Sequence, residues 1–411
     1  MPFGFTARNF AMFCSFFQIN SPRKLRSLLI AYESSRRYLA PMLTKAGVDM
    51  LPTLRRITAK DRHAHVIFLG RDGFSVGHVI AALDPLLYGM HGTMVHLPRA
   101  AADAAVHQAD LWFHDDLRKA ESFRKDGTHR HPDAERNGWS ALLGLLEQHN
   151  VYIDGDRREY VLIDSGYRGS IQEMMAAAYP TVRFYGCYLF FSASPDDPHP
   201  GSKKGFVAHF DATSGLGGLG IRDRVIDDQE LTFAHHDAVA AVEELLRGTS
   251  LDTLITADGP QGDCRHLEPL EGLNPLLVAH EYHEPLFREA TLAIMLRATN
   301  QYAAEVRDRQ ASEPDTWYAA LSDDATRLRP QLHAWLTRRP MDRALKRLLD
   351  SFVRRADKNL VGQLASLTRS KSISHKSHFA LWSEFDRCNG LDAKVEFVRN
   401  AANVRPLADQ C

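Results

Sequence analysis

Two short segments of this chain gather acids, guanidinium groups and glycines at spacings that suit chemistry. The first is Phe68-Leu69-Gly70-Arg71-Asp72-Gly73. The second is Ile163-Asp164-Ser165-Gly166-Tyr167-Arg168-Gly169-Ser170. Each is an apolar run entering a tight, Gly-containing turn, with a helical pattern after it. The carboxyl ends of strands in an open parallel sheet are where ligands bind. Two such ends, each with one acid and one Arg, suggest a site for a phosphate ester with a metal ion. A blander reading stands beside it: Asp72 and Asp164 cap the helices that follow, and Gly73, Gly166 and Gly169 only turn the chain.

The elements that must position these turns lie between residues 61 and 225. Strand patterns at Val66–Leu69, Thr93–Leu97, Tyr160–Ile163 and Val182–Ser192 alternate with helical ones at Phe74–Leu83, after Arg99, at Trp139–His149 and at Ser170–Ala178. Such alternation predicts an α/β fold with a doubly wound parallel sheet. Residues 1–60 read as an N-terminal helical segment opened by Ser21-Pro22, with a second short helix near Met50–Ile57. Residues 226–411 read as a mainly helical C-terminal domain, with Pro285, Pro330 and Pro340 ending or kinking helices. Residues 110–135 read as a loop or a small insertion and 193–222 as a loop or domain edge, while 249–272 are polar and Gly-containing, with no strong period.

The two turns resemble motifs of a haloacid-dehalogenase-like group found in bacterial polysaccharide-biosynthesis proteins. There, one strand runs into Ala/Ser-Arg-Asp-Gly and a later one into Asp-x-Gly-Trp-x-Gly-Ser/Thr-x-Gln. Leu69-Gly70-Arg71-Asp72-Gly73 is similar to the first. Asp164-Ser165-Gly166-Tyr167-Arg168-Gly169-Ser170-Ile171-Gln172 is similar to the second, with Tyr167 in place of Trp. A strand ending in Ser-Arg between them corresponds to His96-Leu97-Pro98-Arg99, which keeps the Arg. The resemblance covers residues 64–192. It implies a Rossmann-like sheet and a phosphate-ester hydrolase or phosphotransferase, acting on a sugar phosphate or nucleotide sugar in surface-polysaccharide metabolism. It also implies Asp72 as acid/base, Asp72 and Asp164 as Mg2+ ligands, and Arg71, Gly73, Arg99, Arg168, Gly169 and Ser170 as phosphate contacts. Gly70 stands where the superfamily's nucleophilic Asp would be, so the covalent route lacks its nucleophile. That gap keeps open a catalytically degenerate, ligand-binding protein. A weaker resemblance, to type I phosphoribosyltransferases, follows from the same order of turns around a phosphate.

Other features point away from particular functions. A formal net charge of −1 gives no field for nucleic acid. Five scattered cysteines without a CxxC pair argue against a disulfide scaffold or thiolate zinc site, and fit a cytoplasmic setting. The Phe-rich stretch Phe10–Phe17 is too short and too poor in flanking signals for a leader, and no segment reaches the length of a membrane span. His235-His236-Asp237 reads as a polar helix entry capped by Asp237. His280 and His283 fall at i, i+3 on one helix face, but not in a His-Glu-x-x-His pattern. Gly215–Gly220 has the letters of a dinucleotide fingerprint without the strand that should precede it. The oligomeric state leaves no mark in the sequence.

Overall fold

The computed structural model describes residues 2–110, 123, 138–153, 159–194, 196–211, 227–247, 278–353, 360, 363–364, 367, 375–388 and 391–403. The glycine run 215–220, the polar stretch 249–272 and, apart from Phe123, the stretch 111–135 lie outside them.

Five strands, whose side chains alternate between its two faces, form one sheet. They are β1 (His65–Leu69), β2 (Gly92–Val95), β3 (Glu159–Asp164), β4 (Arg183–Ser192) and β5 (Lys203–Phe210). All pair in parallel, in the order β2-β1-β3-β4-β5. The expected α/β, Rossmann-like architecture is present. The alternation then sorts the two faces. Val66, Phe68, Val161, Ile163, Cys187 and Leu189 join one buried cluster, while Ile67, Leu69, Tyr160, Leu162 and Phe184 join another.

The second face is covered by α6 (Arg99–Asp110), α7 (Gly138–Gln148) and α8 (Ser170–Ala178). The first carries far more. Its cluster takes members from α1 (Ala7–Phe16), α2 (Pro22–Ser34), α3 (Ala40–Lys60), α4 (Gly70–Leu83), α5 (Pro85–His91), α9 (His236–Leu246), α10 (Pro285–Ser312), α11 (Trp317–Thr326), α12 (Leu328–Leu336) and α13 (Arg343–Phe352). The Phe-rich N-terminus is part of this core, with Phe13 and Phe17 at 0% and 1% exposure. Arg297 of α10 ties it down: its Nε donates to the Phe3 carbonyl at 2.8 Å, and its guanidinium lies 4.0 Å from the Phe5 ring centroid. Helices α14 (His375–Arg387) and α15 (Leu391–Asn403) share a separate small cluster around Trp382 and Phe385.

Several expectations need correction. Asp84-Pro85 does close α4 at Leu83, but it also opens a helix that the sequence pattern does not show. Asp84 accepts the Leu87 N–H at 3.0 Å and Pro85 opens α5 at a position where its missing N–H costs nothing. The helix around Pro52 is not separate, since Pro52 lies inside α3. Residues 203–210 are not loop but β5, and His280–His283 is one 3-10 turn before Pro285 starts α10. Pro330 lies in the opening turn of α12 and breaks nothing. His235, not Asp237, caps α9, its Nδ1 accepting the Asp237 N–H at 3.2 Å.

Helix α4, which carries the first motif, is wedged between the sheet and this helical layer. Gly47 of α3 makes the fit: a Cβ there would come 2.6 Å from Val79. In the same helix, burial lowers the His78 imidazole to about 4, so it is neutral in the folded protein at neutral pH. A folded pKa below the unfolded value of about 6.5 means the unfolded chain takes up the proton first, so stability falls with falling pH across that window. Urea midpoints should drop between about pH 6.5 and pH 4, by roughly 2–3 kcal/mol of stability from this residue. His78→Leu should flatten that slope; an unchanged slope in the variant would remove His78 as its source.

Candidate functional site

The chain leaves β1 for β2 on one side and later places β3 on the other, so the strand order reverses between β1 and β3. In open α/β sheets such a reversal opens a crevice at the carboxyl ends. Both motifs sit there. The register sets Phe68 beside Ile163, and the next residues of each strand begin the two turns.

The first turn is almost no turn. α4 starts at Gly70, directly after β1 ends at Leu69, because Gly70 takes a left-handed φ of 57° that bends the chain. Gly73 then lets the first turn of α4 press on β3: a Cβ there would come 2.6 Å from the Ile163 carbonyl oxygen. The two motifs are therefore packed together at their backbones. Arg71 and Asp72 occupy the opening turn of α4, and their side chains lie outside the described residues.

The second turn is fixed by Gly166 and Gly169. Gly166 has φ 130°, and a Cβ on it would come 1.9 Å from the Phe190 carbonyl oxygen of β4. An L side chain there meets backbone strain and a backbone clash together. Gly166→Ala is expected to cost roughly 3–5 kcal/mol, read as a lowered urea midpoint. Gly144→Ala, on α7 with nothing within 4 Å of its added Cβ, should be neutral or slightly stabilising. Equal effects at both positions would remove the turn geometry as the cause.

Asp164 is half-buried at the end of β3, and its Oδ1 accepts the Ser165 N–H at 2.8 Å. It does not cap α8. The cap position belongs to Gly169, in the left-handed region at φ 71°, with no side-chain hydrogen bond to the helix start. α4 likewise starts from Leu69 with no side-chain cap. Two helix N-termini thus open at the carboxyl edge of the sheet, and such N–H groups with the helix dipole favour anions. Ser170 is the first residue of α8, Arg168 is exposed beside it, and Arg99 is exposed at the start of α6 above β2.

Beneath the second turn is a buried polar layer that the sequence does not advertise. Gln172 is 1% exposed; its Nε2 donates to the Phe184 carbonyl at 3.1 Å and to Ser202 Oγ at 2.9 Å, while its Oε1 accepts from Tyr188 at 2.9 Å. The last residue of the quoted motif therefore clamps α8 to β4. Next to it, Lys203 pairs with Glu173 and, at 2.7 Å, with Asp197; His199 Nδ1 is 2.8 Å from Glu173 Oε2. Burial holds the Tyr188 hydroxyl well above its usual range, which keeps it a neutral donor. The Lys203 stem and the Tyr188 hydroxyl lie directly under Gly169, each 2.8 Å from where its Cβ would be.

Above the turns, the 3-10 segment Gln229–Ala234 and α9 form a roof. Phe233 stacks obliquely on Phe190, with centroids 4.9 Å apart, and Tyr167 donates to the Phe233 carbonyl at 3.4 Å. Glu243 of α9 accepts the Ser165 hydroxyl at 2.7 Å, and the Leu246 carbonyl accepts from Ser75 of α4. Arg247 follows, only 5% exposed. Neither Glu243 nor Arg247 carries a sequence signal beyond the helical spacing of residues 238–247.

His280 and His283 are brought nowhere near a shared role with this turn. His280–His283 packs on α10, and its Glu281 binds Ser27 at 2.6 Å and the guanidinium groups of Arg23 and Arg347. Among the described residues no three His, Cys, Asp or Glu side chains gather as a metal-binding group, and no helix is long and apolar enough to cross a membrane. No protein-family model matches the chain, and neither the curated proteins nor the solved structures yield a significant match.

Proposed function

We propose that the crevice between β1 and β3 binds and processes a phosphate ester, as a haloacid-dehalogenase-like hydrolase or phosphotransferase. The observation that carries this reading is the contact of Gly73 with the end of β3. It brings two acid- and Arg-bearing turns, each opening a helix without a side-chain cap, to one place at the strand reversal. Anions are favoured by both helix starts; Arg168, Ser170 and Arg99 are the described candidates for further donors, and Arg71 belongs to the same proposal by its place in the opening turn of α4. The substrate class in this proposal is a sugar phosphate or nucleotide sugar of surface-polysaccharide metabolism, met in the cytoplasm.

In this proposal Mg2+ is the cofactor, held by Asp72 and Asp164. This ion takes one or two carboxylates and completes its shell with water and phosphate oxygens, and Asp164 is the described carboxylate at the strand reversal. When bound it would neutralise charge building on the phosphoryl oxygens. Asp164 is held for such a role by the Ser165 N–H, which fixes one oxygen.

A second reading draws on Gly70. With φ 57° and no side chain, it offers no nucleophile, and a protein that binds the phosphate ester without turning it over is consistent with that. Phosphate release from a panel of sugar phosphates and nucleotide sugars, with Mg2+ and with chelator, separates the two. Mg2+-dependent release supports the enzyme. Binding by calorimetry without release supports the binding protein, and neither binding nor release sinks both.

A further inference from the structure

We propose that Lys203 and Asp197 condense into an intramolecular amide, with Glu173 carrying the protons. The site is the buried polar layer under Gly169, and nothing in it depends on the phosphate-ester reading.

Four observations converge. Lys203 Nζ lies 2.7 Å from Asp197 Oδ1. The Asp197 carboxyl carbon is one C–O bond further on, so the two atoms that would join are at most about 4 Å apart. Reacting pairs held in place sit roughly 3–3.5 Å apart. Glu173 pairs with the same ammonium group, and all three side chains are buried. The backbone N–H of His199 donates to Asp197 Oδ1 at 3.0 Å, so the oxygen that would take up charge during attack already has its donor. The other oxygen of Glu173, Oε2, is 2.8 Å from Nδ1 of the half-exposed His199, which links the cluster to solvent.

The loop between the two residues holds this arrangement. Pro198 and Pro200 each fix a backbone angle, Gly201 turns the chain at φ 81°, and Ser202 Oγ donates to the His199 carbonyl at 2.8 Å. The Lys203 stem is pinned beneath Gly169. In water, an ammonium and a carboxylate are too well hydrated to condense. Burial strips that hydration from both, and a neutral amide would replace the buried ion pair.

The step balances with no co-reactant. The ammonium of Lys203 gives one proton to Glu173, and the freed lone pair forms the N–C bond to Asp197 Cγ. The C=O electron pair moves onto Oδ1, beneath the His199 N–H. Glu173 delivers its proton to Oδ2, then the second proton that the nitrogen releases. The C–Oδ2 bond breaks with its electron pair and water leaves. Amide and water replace ammonium and carboxylate, and Glu173 ends as it began.

The test is the mass of the full, folded chain and of its tryptic peptides. The wild-type chain should be lighter by one water. Trypsin cuts after a free lysine, so the loss should sit in an uncut peptide 184–204. Fragmenting that peptide should yield no breaks within 197–203, which the bond closes into a ring. Full wild-type mass, cutting after Lys203, or a bond from Lys203 to Glu173 would each overturn the amide. A water lost as an imide at Asp196 leaves Lys203 open to trypsin and counts against it too. Glu173→Gln keeps a polar side chain but carries no proton. It should stay at full mass and be cut after Lys203; bonding to the wild-type extent would overturn the part given to Glu173. The wild-type masses decide whether the amide forms, whatever the variant does to folding.

Discussion

Asp164→Asn is expected to lower phosphate-ester turnover by about 10²–10⁴-fold with an unchanged urea midpoint. The substitution is nearly isosteric, and the amide oxygen can still accept the Ser165 N–H that Asp164 Oδ1 accepts now. What is lost is the charge at the strand reversal and, under the proposed function, an anionic ligand for Mg2+. Higher Mg2+ should therefore recover part of the rate, because a neutral oxygen binds the ion more weakly. Steady-state kinetics across a Mg2+ series, beside urea unfolding, measures both. If the variant turns over like the wild type, Asp164 is no catalytic or metal residue. If its midpoint also falls, the lost rate reports folding instead.

Lys203→Met should cost about 3–5 kcal/mol of stability. Side-chain exposures of 1% for Lys203, 0% for Glu173 and 8% for Asp197 show that the ammonium group pairs with two carboxylates out of water. Removing the cation leaves both acids buried, with the half-exposed His199 beside Glu173. Such a pair adds little net stability as a unit, but breaking it is costly. Glu173→Gln in the Lys203→Met background should therefore restore part of the loss. A simple sum of two losses would mean that the two side chains are not coupled. Because the Lys203 stem underlies Gly169, the single variant should also weaken anion binding at the start of α8, and the double variant should regain some of it.

Much of the sheet was legible from the sequence. β1, β3 and β4 are runs of large apolar residues, as expected for strands buried on both faces. Helix α8 was legible to its ends, since Gly169 and Tyr179-Pro180 frame an apolar stripe. β5 was not, because Lys203, Lys204 and His209 interrupt its apolar pattern; only the burial of Lys203 against Glu173 and Asp197 explains a lysine there. α5 was hidden by Asp84-Pro85, a pair that ends one helix and begins the next. The crevice was half legible. Its two turns carry their chemistry in contiguous letters, whereas the Ser165–Glu243 contact spans 78 residues. No local pattern marks a contact of that separation; it follows from where α9 lands on the sheet. The Gln at the end of the second motif was legible as a letter but not as the clamp it forms with Tyr188, Phe184 and Ser202.

The seat of the N-terminal phenylalanines on α10 sets a schedule for the chain on the ribosome. Phe3 finds its Arg297 partner across 294 residues. At about 5–20 residues per second, synthesis of that stretch takes roughly 15–60 s. Throughout, one of the stickiest segments of the polypeptide exists without the surface that will cover it. The nascent chain is therefore expected to lean on a holding chaperone while that stretch is made, and to complete this part of its core only once Arg297 emerges.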